Sequence, residues 1–170
     1  MSFREGHYFS FDENKNYTGG ENNHPEIQIS EYTSEELSKL WLKTLKKGMH
    51  GICFSMYENH QKPGDIIYGE QVNRRIQILK PYAKWVRSFS CIEGNEHIPR
   101  IAHQNGMKTL VGAWLGDDLE LNEREIEGLI TLAKEGCVDV AAVGNEVMYR
   151  KDLTEDQLID YIKRVKEALP

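Results

Sequence analysis

The feature that most constrains the fold of this chain is a unit of strand, loop and helix that occurs four times from Gly51 onward. Apolar, β-branched runs predict strands at residues 51–55, 85–90, 109–115 and 138–143. Amphipathic segments predict helices at about residues 69–79, 96–104, 123–135 and 154–169. Strands that alternate with helices of this length are joined by right-handed crossovers, so the sequence predicts an α/β fold with a parallel sheet.

The segment before these units has a different composition. Residues 1–33 are polar and rich in turn residues, which predicts an extended or partly disordered arm. Ser34 is predicted to be the N-cap of a helix that stops at Gly48. The chain is therefore expected to divide into an arm, residues 1–33, and an α/β domain, residues 34–170.

Composition excludes several classes of partner. No apolar run approaches the roughly 18 residues needed to span a bilayer, so no membrane insertion is expected. The formal net charge of −6 gives no basic face for nucleic acid, and a neutral or weakly polar ligand fits better. The N-terminus lacks the apolar stretch of a secretory signal, so nothing in it directs export, and the location is left open, with a cytoplasmic one as the default.

The residues that commonly bind metals show no ligand spacing. Cys53, Cys91 and Cys137 are an odd set without paired spacing, which argues against both a disulfide framework and a zinc site. Asp117 and Asp118 are more typical of a solvated helix start than of a metal pair. No metal and no cofactor are predicted.

Every predicted strand ends in polar or aromatic side chains. They are Ser55, Tyr57, Arg87, Ser90, Trp114, Asn145 and Glu146. The carboxyl ends of parallel strands share one rim, so these side chains are expected to converge. Four units can form a small doubly wound sheet or half of an eight-stranded barrel, but residues 55–60 lack the glycine-rich phosphate loop of the first arrangement. The pattern favours a sugar site.

Glu146 is the main candidate for chemistry. The run at 138–143 is expected to be buried on both faces and ends at Asn145 and Glu146, where burial would raise the pKa of a carboxyl and suit it for acid/base work. The alternative is a carboxylate that stabilises a helix N-terminus.

The other candidates each have a structural alternative. Trp114 is interpreted as a stacking platform for a pyranose, because its strand ends at Gly116, or else as core filling. Arg87 is interpreted as a sugar contact or as a structural ion-pair partner. Tyr57 and Gln61 are predicted to face the sugar.

Four segments in order, each on a predicted strand, resemble glycoside hydrolase family 17, the β-1,3-glucanase family, in its bacterial form. They are Gly51–Ser55, Trp85–Ser90, Leu110–Leu115 and, above all, Val143–Arg150, and the resemblance runs from about Trp41 to the last residue. It implies a retaining enzyme with a (β/α)8 TIM barrel, of which this chain covers about the first four βα units.

The resemblance also implies roles for residues. Glu146 matches the general acid/base, Asn145 the residue that holds the 2-hydroxyl, and Phe89 stands where many relatives carry a Tyr. Phe89 is among the substrate-binding candidates, and so is Tyr149, in the same motif as Glu146. A retaining enzyme needs a second carboxyl about 5 to 5.5 Å away as nucleophile, and in this family it lies on the seventh strand. The chain is therefore expected to be a fragment whose partner is the missing C-terminal half of the barrel.

Three functions are compatible with these observations. The first is an enzyme that hydrolyses or transfers β-1,3-linked glucosyl units of a β-glucan or oligosaccharide. The second is a non-catalytic glucan-binding or assembly module. The third is an unrelated α/β protein for a phosphate ligand, in which Glu146 is structural.

Overall fold

The computed structural model describes residues 10–11, 17–18 and 32–169. Contacts divide the chain into two compact units, Met1–Trp41 and Leu42–Pro170. In the first unit, β1 (Ser10–Phe11) and β2 (Tyr17–Thr18) form an antiparallel pair. The extended or partly disordered arm predicted over residues 1–33 otherwise lies outside the described residues.

The second unit contains a four-stranded parallel sheet in the order β3, β4, β5, β6. The strands are β3 (Met49–Cys53), β4 (Ala83–Ser88), β5 (Lys108–Ala113) and β6 (Val140–Val143). The helices are α1 (Ser34–Lys46), which begins in the first unit, α2 (Gly69–Leu79), α3 (His97–Gln104), α4 (Leu119–Lys134), α5 (Val147–Arg150) and α6 (Glu155–Ala168). This order confirms the predicted α/β architecture, a sheet of sequential parallel strands alternating with helices.

The start of α1 differs from the prediction by one residue. Thr33, not Ser34, has the capping role: Glu36 N–H donates to Thr33 Oγ1 (3.3 Å), and Thr33 N–H donates to Glu36 Oε2 (2.9 Å). This reciprocal arrangement needs a Glu or Gln three residues after the cap, and Leu37 stands at that distance from Ser34.

Helices cover one face of the sheet and form two hydrophobic clusters. Val86 of β4 packs with buried residues of α2 and α3, among them Ile76 and Ile98. Val111 of β5 packs with buried residues of α4 and α6, such as Leu129. Side chains on the opposite face of β4 and β5 are less covered: Trp85, Arg87 and Leu110 are only half-buried.

The prediction that the strand ending near Asn145 is buried on both faces is wrong. β6 consists of exposed and half-buried residues, and Val140 is 43% exposed. The reason is its position: β6 pairs only with β5 and forms an edge of the described sheet. Among the described residues, no helix is both long and apolar enough to cross a membrane.

Candidate active site

The segment after β6 turns in left-handed backbone conformations. Gly144 has a φ of 81°, Glu146 a φ of 54° and Lys151 a φ of 62°, and the four-residue helix α5 lies between the last two. Left-handed conformations are unfavourable for residues with a side chain, so surrounding contacts must hold this turn. Val147, which is 3% exposed, anchors one side of it in the core.

Arg150 holds the other side of this turn. Its Nη1 donates to the carbonyl of Asn145, and its Nη2 donates to the carbonyl of Leu115 at 2.8 Å. Its Nε donates to the Asp152 carboxylate at 2.7 Å, and its guanidinium lies over the Trp114 ring, 4.5 Å from the centroid. One side chain thus joins the segments that follow β5 and β6.

Arg87 of β4 reaches the same turn. Its Nη2 donates to Asn145 Oδ1 at 2.8 Å, and its guanidinium lies 4.5 Å from the centroid of the Phe89 ring. Its buried Nε has no hydrogen-bond partner among the described residues. The structural partner seen for Arg87 is therefore an amide and an aromatic ring instead of the carboxylate of an ion pair.

A cleft of about 620 Å³ opens beyond the carboxyl ends of β3, β4 and β5. Phe54, Tyr57, Phe89 and Trp114 contribute its aromatic surface, and Trp114 is 38% exposed. Glu93, Asn95 and Glu125 are polar side chains in its lining. An apolar cleft with a few polar groups is the usual form of a small-ligand site.

Glu125 of α4 is a buried carboxyl in this lining, 2% exposed. Its Oε1 accepts the Ser90 hydroxyl at 2.5 Å, and its Oε2 accepts the Cys91 N–H at 2.7 Å. Burial raises the pKa of Glu125 to about 6, although these hydrogen bonds act in the opposite direction. Glu125 therefore ties α4 to the loop that carries Phe89 into the cleft.

The remaining candidates lie elsewhere in the same region. Gln61 Oε1 accepts the Gln71 side-chain amide at 2.6 Å and the Glu58 N–H at 2.7 Å, and Gln61 borders a neighbouring depression together with Tyr57. Tyr149 is 86% exposed. Neither Gln61 nor Tyr149 lines the cleft.

The expected burial of Glu146 is wrong, because its side chain is exposed. It follows an edge strand and turns outward in a left-handed conformation, which removes the desolvation expected at the end of a buried strand. Arg87, Asn145 and Glu146 do not line the cleft. Asn145 is nevertheless linked to two aromatic residues of the lining, to Phe89 through Arg87 and to Trp114 through Arg150.

Two residues of this region were missed from sequence. Glu125 stands on the buried stripe of α4 beside Ile126 and Leu129, so a charged residue within an apolar stripe was the available signal. Arg150 gave no such signal, because two of its partners are backbone carbonyls, of Leu115 and Asn145, which a sequence pattern does not bring together. By contrast, Asp118 caps α4 by accepting the Leu121 N–H at 3.0 Å, as expected of a residue at a helix start, although α4 begins at Leu119, before the predicted 123.

Comparisons with known proteins place this chain in a family. Residues 51–170 match the BtgE/BtgC glycoside hydrolase domain. A glucan 1,3-β-glucosidase of Saccharomyces cerevisiae is 30% identical over 98 residues, 55% of this chain and 31% of the relative. A glucan 1,3-β-glucosidase of Candida albicans is 23% identical over 98 residues, 55% of this chain and 32% of the relative.

A solved structure agrees with these relatives. It is an active-site mutant of the Rhizomucor miehei β-1,3-glucanosyltransferase in complex with laminaritriose, with a TM-score of 0.59 and 27% sequence identity. The alignment covers 72% of this chain and 46% of that one. The chain thus spans about a third of the two glucosidases and less than half of the solved structure. Because the family match extends over most of its length, the chain belongs to the BtgE/BtgC glycoside hydrolase domain family.

Proposed function

We propose that this chain is the N-terminal half of a (β/α)8 domain of glycoside hydrolase family 17 that binds β-1,3-linked glucan. The observation that carries the proposal is the cleft at the strand ends, lined by Tyr57, Phe89 and Trp114. Aromatic faces are suited to stacking against pyranose rings. The relationship to a glucanosyltransferase solved with laminaritriose supports the same ligand class.

Glu146 is proposed as the general acid/base of the complete domain. It immediately follows Asn145, whose position is held by Arg87 and Arg150. An arginine can only donate, so Asn145 Oδ1 is the acceptor of the Arg87 bond, which leaves the Asn145 Nδ2 to donate to a sugar hydroxyl. An amide donor beside an exposed carboxyl suits a sugar whose glycosidic oxygen is to be protonated.

The nucleophile of a retaining mechanism is proposed to lie in the second half of the barrel. A second carboxyl about 5 to 5.5 Å from Glu146 would complete the pair, and either water or another sugar would then accept the glucosyl group. We therefore propose a glycosyl transfer to either water or a sugar, that is, hydrolysis or transglycosylation. We also propose that the chain represents the bacterial form of the family.

A non-catalytic glucan-binding module is the second candidate. It is favoured by one observation, the position of Glu146 outside the lining of the cleft. A chain that binds glucan and releases no product would fit this second function.

Calorimetry tests the binding proposal. Laminaritriose is expected to bind the chain, whereas cellotriose, a β-1,4-linked control of the same length, binds more weakly. Trp114→Ala removes the ring from the cleft, so the Kd is expected to rise at least about fivefold, which corresponds to ~1 kcal/mol. Trp41→Ala is the matched control, because Trp41 is an exposed tryptophan that does not line the cleft.

Two results would contradict the binding proposal. One is equal affinity for both trisaccharides, and the other is an unchanged Kd in Trp114→Ala. Measurement of reducing-sugar release from laminarin, on a protein with both halves of the barrel, then separates the enzyme from the binding module.

A further inference from the structure

The Arg150 guanidinium contacts groups from three parts of the chain. It donates to the carbonyls of Leu115 and Asn145 and to the Asp152 carboxylate, and its plane lies over Trp114. A guanidinium carries five donors in a rigid plane, so these contacts fix its orientation relative to all of its partners. A flexible ammonium cannot reproduce several directed bonds and a stacked plane at once.

The backbone that Arg150 holds is unfavourable without support. Glu146 and Lys151, at the two ends of α5, are both left-handed and neither is glycine. Such conformations persist where the surroundings over-determine them. The carbonyl that accepts from Arg150 Nη1 belongs to the peptide group that carries the Glu146 N–H, so the bond acts directly on the backbone that directs the Glu146 side chain.

Arg150 also decides which face of Trp114 is available. The guanidinium covers one face of the ring at 4.5 Å, and Arg150 is not part of the cleft lining, whereas Trp114 is. A sugar can therefore stack only on the opposite face. Arg87 covers one face of Phe89 in the same way and donates to Asn145.

We propose that Arg150 is a positioning residue that sets the Trp114 ring and the Asn145–Glu146 peptide in one arrangement. This inference rests on the proposed function in assuming that Trp114 binds sugar and that Glu146 transfers a proton. Arg150 is assigned contact with the ring and the peptide group, and with neither the sugar nor the transferred proton. Its role is to keep the sugar-binding face of Trp114 and the Glu146 carboxyl in a fixed position relative to each other.

The test uses the whole chain labelled with 5-fluorotryptophan and with ¹⁵N. The chain has three tryptophans, and Trp114→Phe assigns the Trp114 fluorine signal. Arg150→Met keeps the length of the side chain but removes its donors and charge. It is expected to shift the Trp114 fluorine signal and the Glu146 amide signal, to leave those of Trp41 and Trp85 in place, and to raise the laminaritriose Kd about tenfold.

Two further variants make the result specific. Arg150→Lys retains the charge and at most part of the bonding, so a partial shift and a smaller loss of affinity are expected. If Arg150→Met does not fold, the signals and the Kd of Arg150→Lys decide the test instead. Arg164→Met is the matched control, because Arg164 forms a two-bond ion pair with Glu123 and lies over Tyr161, yet does not line the cleft. It is expected to leave both signals and the affinity unchanged.

The outcomes separate the inference from the proposed function. Unchanged Trp114 and Glu146 signals in a folded Arg150 variant would overturn the positioning role, whatever the affinity for sugar. If laminaritriose moves no tryptophan signal in the unmodified chain, the proposed function fails, while the sugar-free shifts still decide whether Arg150 sets the ring and the peptide.

Discussion

Burial and hydrogen bonding act in opposite directions on the pKa of the Glu125 carboxyl. Ser90 and Cys91 donate hydrogen bonds to its two oxygens, which favours the charged form. Burial and the nearby Glu93 charge favour the neutral form, and burial is the larger influence, so the pKa rises from its ordinary value of 4.5 to about 6. The folded chain therefore binds a proton more tightly at Glu125 than the unfolded chain does.

This pKa predicts that the free energy of unfolding falls as pH rises from about 4.5 to about 6. Below this window Glu125 is protonated in both states, and above it the folded state must hold a buried charge. A shift from 4.5 to about 6 corresponds to about 2 kcal/mol. Urea unfolding at several pH values measures it, and Glu125→Gln is expected to remove this component of the pH dependence.

Glu123→Gln is the control for that measurement. Glu123 lies on the same helix, and its bond from Arg164 lowers its pKa. Its replacement should therefore leave the loss of stability between pH 4.5 and 6 in place. A Glu125→Gln protein with the same pH dependence as the unmodified chain would contradict the assignment.

The Glu146→Gln substitution tests the proposed acid/base in a protein that contains both halves of the barrel. It deletes the transferable proton while keeping shape and hydrogen-bonding capacity. Hydrolysis of a β-1,3-glucan is expected to fall on the order of a hundredfold or more, the scale of a positioned acid. An activated aryl glucoside should lose less in the glycosylation step, because its phenolate leaves without protonation.

Added azide supplies the second comparison for Glu146. Azide is expected to restore turnover of the aryl glucoside, because it needs no base to attack the glycosyl-enzyme. Equal loss on both substrates, with no azide rescue, would indicate a structural Glu146 or a different acid such as Glu58 or Glu93.

At the scale of elements, Gly128 allows α4 to approach the loop after β4. A Cβ at this position would lie 2.9 Å from both the Cβ and the carbonyl oxygen of Cys91. Gly128 stands one turn after Glu125, so the close approach also brings the Glu125 carboxyl to the Cys91 N–H. The lack of a side chain at Gly128 thus allows the hydrogen bond that holds Glu125, a residue of the cleft lining, against the loop after β4.

Gly128→Ala is expected to destabilise the chain although alanine is the better helix former. Because the conflict involves the backbone carbonyl of Cys91, it should cost about 2–3 kcal/mol, more than the roughly 1 kcal/mol gained in helix propensity. Gly69→Ala in α2 is the control, since its added Cβ would lie at an ordinary 3.6 Å from His97. Denaturant midpoints compare the two, and a Gly128→Ala protein as stable as Gly69→Ala would refute the close-packing account.

The sequence predicted the order and type of the strands and helices of the α/β unit better than it predicted their surroundings. Alternation of apolar runs with amphipathic segments was sufficient for the parallel sheet, and Gly106 and Gly136 mark helix ends with left-handed backbone. Helix α5 was missed, because neither Glu146 nor Lys151 favours the left-handed conformations that bound it. The burial of β6 was wrong because an apolar run does not show how many neighbours a strand has.

At the scale of the whole molecule, the described sheet has two open edges, β3 and β6. Apolar side chains are exposed on or near them, with Ile52 40% and Val140 43% exposed. Unpaired edges of this kind associate with other strands unless something covers them. The 170-residue chain alone is therefore expected to self-associate with rising concentration in sedimentation velocity experiments.

A charge placed on the β6 edge tests the cause of this association. Val140→Lys is expected to reduce it, because an edge lysine opposes strand pairing. Ile159→Lys is the matched control on α6, where the replaced side chain is similarly exposed at 37%. A monodisperse, cooperatively melting monomer at all concentrations would contradict the half-barrel interpretation.

The most direct test of the account is a titration of the ¹⁵N-labelled chain with laminaritriose, followed through backbone amide signals. The account predicts that the signals that move belong to residues at the carboxyl ends of the strands, foremost Tyr57, Phe89, Trp114 and Asn145. Signals of Leu45 and Ile78, which line a neighbouring groove but not the cleft, should stay in place. No movement at the strand ends, or movement centred on that other groove, would contradict a β-1,3-glucan site in this cleft.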